Sequence, residues 1–232
     1  MAETLTGNAE IRVKSTVRIQ TNVMAQAERR LLNWLCPRLP SWVTPDHLTL
    51  FGVLGAVFVF LGYIGSYATP VLLWLAILGY GVHWFGDSLD GSLARFRKIE
   101  RPRYGYFLDH SVDAVCNLII MMSLGATHYV RMDSALFALT GYYMLCMYVF
   151  LNNQVSGTFR LTFLALGPTE LRIVLIGLTL AMYSVGTAGV TIGGAFFSYY
   201  DFVLIGGGII FVALFLASIL PRISELRRQE AN

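Results

Sequence analysis

Long apolar runs dominate the sequence. Leu48–Tyr67 supplies the roughly 20 apolar residues that a helix needs to cross a bilayer. Val71–Phe85 is apolar too, and it continues without a breaker into Asp87–Phe96, so this second helix is expected to project from the membrane with polar residues at its end. Tyr104–Ala126, Ser134–Val155, Leu171–Val185 and Phe202–Leu220 complete the series. The expected fold class is all-α, an integral membrane bundle of six transmembrane helices. Composition agrees: 56% of the 232 residues are hydrophobic and 13% charged, against roughly a quarter charged in a soluble domain.

Residues 46–221 are the expected membrane domain, with a cytoplasmic and interfacial segment over 1–45 and a cytoplasmic tail over 222–232. No internal repeat or low-complexity linker marks a second domain. Arg12, Lys14, Arg18, Glu28, Arg29 and Arg30 precede the first apolar run, which places it too far in for a cleaved signal peptide. Within Val17–Leu35, Val23, Ala27, Leu31, Leu32 and Leu35 recur at helical spacing opposite Arg29 and Arg30. That pattern predicts an N-terminal amphipathic helix, either lying in the membrane interface or packed beneath the membrane domain, and the two are compatible. Pro37 and Pro40 end it, and Thr44-Pro45-Asp46 reads as the start of the next helix.

In a six-span arrangement every Lys and Arg except Arg131 falls on one side. The positive-inside rule then places both termini and the loop after the second span in the cytoplasm, in a cell inner membrane or an endomembrane. The formal charge of +3 is mild, and its basic residues flank the spans, so anionic lipid rather than nucleic acid is the expected neighbour. Cys36, Cys116 and Cys146 show no metal-ligand spacing and are read as buried thiols.

Against this background, Gly86–Asp113 carries four aspartates, and ionisable groups in hydrocarbon mark functional sites. Asp87 and Asp90 are three apart and Asp109 and Asp113 four apart, so each pair shares a helix face. Gly91 and Ala94 lie beside the first pair, and Gly105 lies one turn before the second. The short basic loop Arg97–Arg103 makes the two helices antiparallel neighbours, so the four carboxylates can converge. Uncompensated, they would repel one another and take up protons. Hard divalent cations remove that cost, and a carboxylate set without cysteine suits Mg²⁺ or Mn²⁺ better than Zn²⁺. A two-metal site is the usual clamp for a phosphoryl group, so the stretch suggests phosphoryl transfer. The small residues leave room for a bulky ligand, and Arg95 is placed to contact its phosphate. Rival readings are small-residue helix packing, an ordinary positive-inside loop, and a cation transporter with intramembrane acids; clustering of the acids toward one side argues against the transporter.

The pattern Asp87-x-x-Asp90-Gly91-x-x-Ala94-Arg95, then nine residues, then Gly105-x-x-x-Asp109-x-x-x-Asp113 resembles the signature of the CDP-alcohol phosphotransferase family. Thr44-Pro45-Asp46-His47-Leu48-Thr49 also resembles a family feature. The resemblance implies six transmembrane helices, frequently a homodimer, and transfer of a phospho-alcohol from a CDP-linked donor to a hydroxyl acceptor with release of CMP. It implies that Asp87, Asp90 and Asp109 hold the metals, with Asp113 completing the site and serving as general base. Gly91, Ala94, Arg95 and Gly105 would contact the CDP moiety, with Thr49 a further nucleotide candidate.

His110 is the alternative base, since imidazole titrates near neutral pH. His83, one turn before Asp87, is a candidate supporting partner, with packing as the alternative. Two branches are open: CDP-diacylglycerol donating to a soluble alcohol of the inositol phosphate, glycerol phosphate or serine type, or a soluble CDP-alcohol donating to diacylglycerol. Asp109-His110 and Ser156-Gly157-Thr158-Phe159-Arg160 resemble the choline and ethanolamine branch and favour the second. Arg160 and Arg172 are candidate contacts for the acceptor or a phosphate, with positive-inside anchoring as the alternative.

Overall fold

The computed structural model describes residues 25–156 and 167–231. Helices α1 (Ala25–Leu35), α2 (Pro45–Gly65), α3 (Leu73–Arg97), α4 (Pro102–Gly125), α5 (Met132–Ser156), α6 (Pro168–Val185) and α7 (Tyr199–Glu230) account for most of it. Of these, α2, α4, α5, α6 and α7 are long and apolar enough to cross a membrane. The remaining predicted span, α3, has 25 residues, about 37 Å at 1.5 Å per residue, but its second half carries Asp87, Asp90, Arg95 and Arg97. Helix α1 covers the Ala25–Leu35 part of the range in which an N-terminal helix is expected; Val17–Met24 lie outside the described residues, as do Arg160 and the rest of the Gly157–Arg160 segment.

Local chemistry sets the helix ends. Thr44 caps α2: its hydroxyl accepts from His47 N at 3.2 Å, its own N–H donates to His47 Nδ1 at 3.3 Å, and Pro45 occupies the first turn. At the start of α6 the Glu170 carboxylate accepts from Gly167 N at 2.8 Å behind Pro168. Helix α3 stops where Lys98 turns left-handed (φ 56°, ψ 42°) and Ile99 N donates to Ala94 O at 3.0 Å. The Arg97 guanidinium then donates to the carbonyls of Leu39, Pro40, Ser41 and Val43 at 2.5–3.3 Å. Arg97, the first residue of the basic loop, thus ties the end of α3 to the segment between α1 and α2.

Glycines decide how closely α2 and α3 approach. A Cβ added to Gly55 would stand 2.2 Å from His83 N, one on Gly62 2.3 Å from Ala76 N, and one on Gly86 2.3 Å from Gly52 N. Backbone cannot yield as a flexible side chain can, so these contacts set the height and rotation of α3, and with them the positions of Asp87 and Asp90. Gly55→Val is therefore expected to destabilise at the upper end of the roughly 1–3 kcal/mol that overpacking costs. The check is the melting temperature of the purified protein, with Gly81→Ala as the control, because its added methyl meets nothing within 4 Å.

The core lies between α2, α3, α4, α5 and α6, where Ala56, Val59, Leu73, Ala76, Leu124 and Met182 are fully buried. Inside it, Tyr63 OH lies 3.1 Å from Tyr80 OH and 2.7 Å from Thr179 Oγ1, which satisfies the three buried hydroxyls together. The outward faces carry exposed Leu50, Leu54, Phe60, Ile209, Ile210 and Leu216, the surface expected of helices solvated by lipid. Cys36 and Cys116 are buried as expected and Cys146 is half-buried; burial pushes the Cys36 thiol above its ordinary range.

The all-α expectation passed over a hairpin. Strands β1 (Gly189–Ile192) and β2 (Ala195–Ser198) pair antiparallel with Gly189 opposite Ser198. Their two-residue turn is Gly193-Gly194, with φ of +58° and +84°, a conformation that glycine adopts without strain. The hairpin leads into the Ser198 cap of α7, whose Asp201 accepts from Ser198 N at 2.7 Å and from Arg131 N at 2.9 Å, so the α4–α5 connection is held to the start of α7.

Candidate active site

Asp87 and Asp90 lie on α3 and Asp109 and Asp113 on α4, two helices that each pack against α2 rather than closely against one another. On α3, Asp90 is buried and doubly anchored: Thr49 Oγ1 of α2 donates to its Oδ2 at 2.7 Å, and Gly91 N donates to its Oδ1 at 2.5 Å. Thr49, read from the sequence as a nucleotide candidate, thus orients a carboxylate. On α4, Asp109, His110 and Asp113 each offer a ligand atom, and these atoms lie within 4.8 Å of one another. The His110 ring stands edge-on to Tyr106, centroids 4.4 Å apart, and 5.2 Å from Phe150 of α5, with Nδ1 3.7 Å from Asp109 Oδ2.

The two halves of the motif approach each other at Asp87 and Asp113, whose carboxyl groups are near enough to interact. Of the four carboxylates expected to converge, Asp87 and Asp113 are the two that approach across the helices, and the compact group Asp109, His110 and Asp113 belongs to α4 alone. Asp87 also forms an ion pair with Arg172, which reaches across from α6. Behind it, His83 Nδ1 lies 3.0 Å from Gly52 O, and its Nε2 lies 3.5 Å from Arg172 Nη2. A neutral ring that donates from Nδ1 to the carbonyl leaves Nε2 free to accept from the guanidinium. A polar chain therefore runs from Gly52 through His83, Arg172 and Asp87 to Asp113, crossing α2, α3, α6 and α4. Its Arg172 and Asp87 side chains are only 12% and 17% exposed, so each needs the other.

The glycines of the motif contrast with those between α2 and α3. A Cβ on Gly105 would meet nothing within 4 Å, and one on Gly91 would meet only the Arg95 side chain, at 3.3 Å from Nη1. Helix packing therefore does not account for either glycine, and both leave backbone open to a ligand. Ala94 is half-buried, and exposed Arg95 turns back to donate to Ser92 Oγ at 3.2 Å. In the basic loop, Arg101 is paired with Asp46 at the start of α2, both about half exposed. Sequence reasoning missed the Thr49–Asp90 bond, the role of Arg97 and the Arg172–Asp87 pair. Only His83, one helical turn before Asp87, gave a signal for the polar chain.

The arrangement offers carboxylates from two helices, a neighbouring imidazole and open backbone beside them, which is what a site that clamps and transfers a phosphoryl group requires. Similarity to known proteins points the same way. The family model for CDP-alcohol phosphatidyltransferases matches residues 42–219. The chain is 27% identical to cholinephosphotransferase 1 of Danio rerio over 203 residues, covering 76% of this chain and 53% of that protein, so it spans about half the length of that relative. It is 33% identical over 101 residues to a CDP-diacylglycerol–serine O-phosphatidyltransferase of Encephalitozoon cuniculi, covering 41% of this chain and 26% of that protein. It is also 32% identical over 103 residues to an archaetidylinositol phosphate synthase of Pyrococcus horikoshii, covering 44% and 52% respectively. With the family model spanning the first apolar helix, the aspartate site and the helices beyond it, this chain belongs to the CDP-alcohol phosphatidyltransferase family.

Proposed function

We propose that the protein is a divalent-metal-dependent membrane transferase of phospholipid synthesis, which moves a phospho-alcohol from a soluble CDP-alcohol to diacylglycerol and releases CMP. The observation that carries this reading is the meeting of Asp87 and Asp113 across α3 and α4, with Asp90 and Asp109 beside them. The donor set fits a hard cation: four carboxylates, no thiol, and one of them, Asp90, already oriented by two hydrogen bonds. Asp87, Asp90, Asp109 and Asp113 would hold two Mg²⁺ or Mn²⁺ ions. Bound there, the ions would neutralise the pyrophosphate and favour departure of its leaving oxygen.

The protein's own groups supply the rest. Gly91, Ala94 and Gly105 leave space for the CDP moiety against the backbone, and Arg95 contacts its phosphate. Asp113, or His110 beside it, accepts the proton of the acceptor hydroxyl. The acceptor oxygen forms a bond to the phosphorus that bears the alcohol, the pyrophosphate P–O bond breaks, and its electron pair leaves on CMP. Arg172 is near enough to the carboxylates to meet a substrate phosphate, and Arg160 is a second candidate for the acceptor. With α3 as the sixth span, both termini and the site face the cytoplasm. A homodimer in the bilayer is the proposed assembly, with no nucleic acid partner.

Asp109-His110 and the cholinephosphotransferase relatives favour diacylglycerol as acceptor. The phosphatidylserine-type and archaetidylinositol-type relatives support a second reading, in which CDP-diacylglycerol donates to a soluble alcohol. The deciding experiment offers purified protein a panel of CDP-alcohols with diacylglycerol and, separately, CDP-diacylglycerol with soluble alcohols. CMP release in the first arm is expected; release only in the second selects the other donor, and release in neither overturns the assignment. A chelator is expected to abolish release, and Mg²⁺ or Mn²⁺ to restore it. Release that persists through chelation refutes the metal requirement.

A further inference from the structure

Helix α1 reaches the aspartate end of the bundle with one acidic side chain, Glu28. Half-buried Glu28 accepts three hydrogen bonds at a single carboxylate oxygen, Oε1: from Trp84 Nε1 at 2.9 Å, Ser88 Oγ at 3.0 Å and Thr169 Oγ1 at 3.1 Å. Trp84 and Ser88 are four residues apart and share a face of α3, and Ser88 directly follows Asp87. Thr169 lies in the first turn of α6, three residues before Arg172, so these two also share a face. Helices α3 and α6 are thus bridged twice, from adjacent residues of α3 and from residues about one helical turn apart on α6. One is the Arg172–Asp87 pair; the other is Glu28, set between Ser88 and Thr169.

We propose that Glu28 is a positioning residue that holds the amino end of α6 against α3 and thereby sets where Arg172 meets Asp87. Helix α1 is then part of the scaffold of the site as well as a helix at the membrane surface. Two observations support a polar clamp here. Within α6 only Thr179 and Met182 are fully buried, both in its second half, so apolar packing does little to hold its first two turns. The Glu28 carboxylate also stands beside the amino terminus of α6, where the helix dipole favours negative charge and the hydrogen bonds to it are charge-assisted. By contrast, α1 has apolar moorings of its own, since Leu32 and Cys36 pack with Leu89 and Leu93 of α3. Loss of Glu28 should therefore free α6 and leave α1 in place.

The catalytic consequence rests on the transferase reading, whereas the structural one does not, so two readouts are needed. Full-length protein in nanodiscs is compared as wild type, Glu28→Ala, Glu28→Gln and Thr169→Val, by hydrogen exchange and by CMP release. In Glu28→Ala, amide exchange over Leu171–Leu175 is expected to accelerate about tenfold while α2 and α7 are unchanged. Its kcat is expected to fall about tenfold, with KM for the CDP-linked donor shifted less than about twofold. Glu28→Gln should restore both, because its amide oxygen accepts the same bonds, and Thr169→Val, which breaks the clamp from the α6 side, should accelerate exchange over α6 and lower kcat in the same direction as Glu28→Ala. Unchanged α6 exchange in Glu28→Ala, equal acceleration in every helix, or a Gln variant that behaves as Ala each overturns the proposal. The expected exchange pattern in a protein that releases no CMP refutes the transferase reading and leaves the clamp standing.

Discussion

Asp113→Asn is expected to lower the rate of CMP release by about 10²–10⁴-fold, the range for loss of a general base. Asparagine keeps the size of the side chain beside Asp87 while the proton acceptor is lost. The measurement is kcat at saturating metal, which separates proton transfer from weakened metal binding. His110→Gln is the companion variant, because His110 shares a cluster with Asp109 and Asp113 and its ring is held by Tyr106 and Phe150. A fall of less than about tenfold leaves Asp113 as the base. A deep loss in His110→Gln with a shallow one in Asp113→Asn transfers that role to the imidazole.

Arg172→Met should produce the largest change in stability, about 3–5 kcal/mol measured in chelator, because it leaves the Asp87 carboxylate buried without its counter-charge. The pair also ties α6 to α3, so the loss should appear as a lower melting temperature. Arg172→Lys is expected to recover only part, since an ammonium is more strongly hydrated, and costs more to bury, than the guanidinium whose Nη2 meets both Asp87 and His83. Combining Asp87→Asn with Arg172→Met removes both charges, and the double variant should be less destabilised than the sum of its parts. Melting of Arg172→Met at the wild-type temperature would show that the pair carries no stability.

The spacing of the acids was legible because helix periodicity alone puts Asp87 with Asp90 and Asp109 with Asp113; the neighbouring of α3 and α4 expected from their short loop was not met by close packing, since each packs against α2 instead. The start of α2 was legible for a similar reason, since its cap bonds to a residue only three positions away. Thr49–Asp90, Arg172–Asp87 and Glu28–Thr169 were not, since they join residues 41, 85 and 141 positions apart. No local pattern encodes such a pairing. The glycines show the same division. Gly55, Gly86, Gly91 and Gly105 look alike in the sequence, yet the first two are pressed against backbone and the last two are not.

Chemistry and topology were thus written locally: apolar runs long enough to be spans, four carboxylates on two helix faces, and a motif that resembled one enzyme family. Folding decided which groups support those carboxylates. Close approach of α2 and α3 brings Thr49 to Asp90, and the docking of α6 turns a candidate substrate arginine into the partner of Asp87. The physical reason is burial. A carboxylate removed from water must find a donor or a counter-charge, and only the packed arrangement of distant helices determines which one comes within reach.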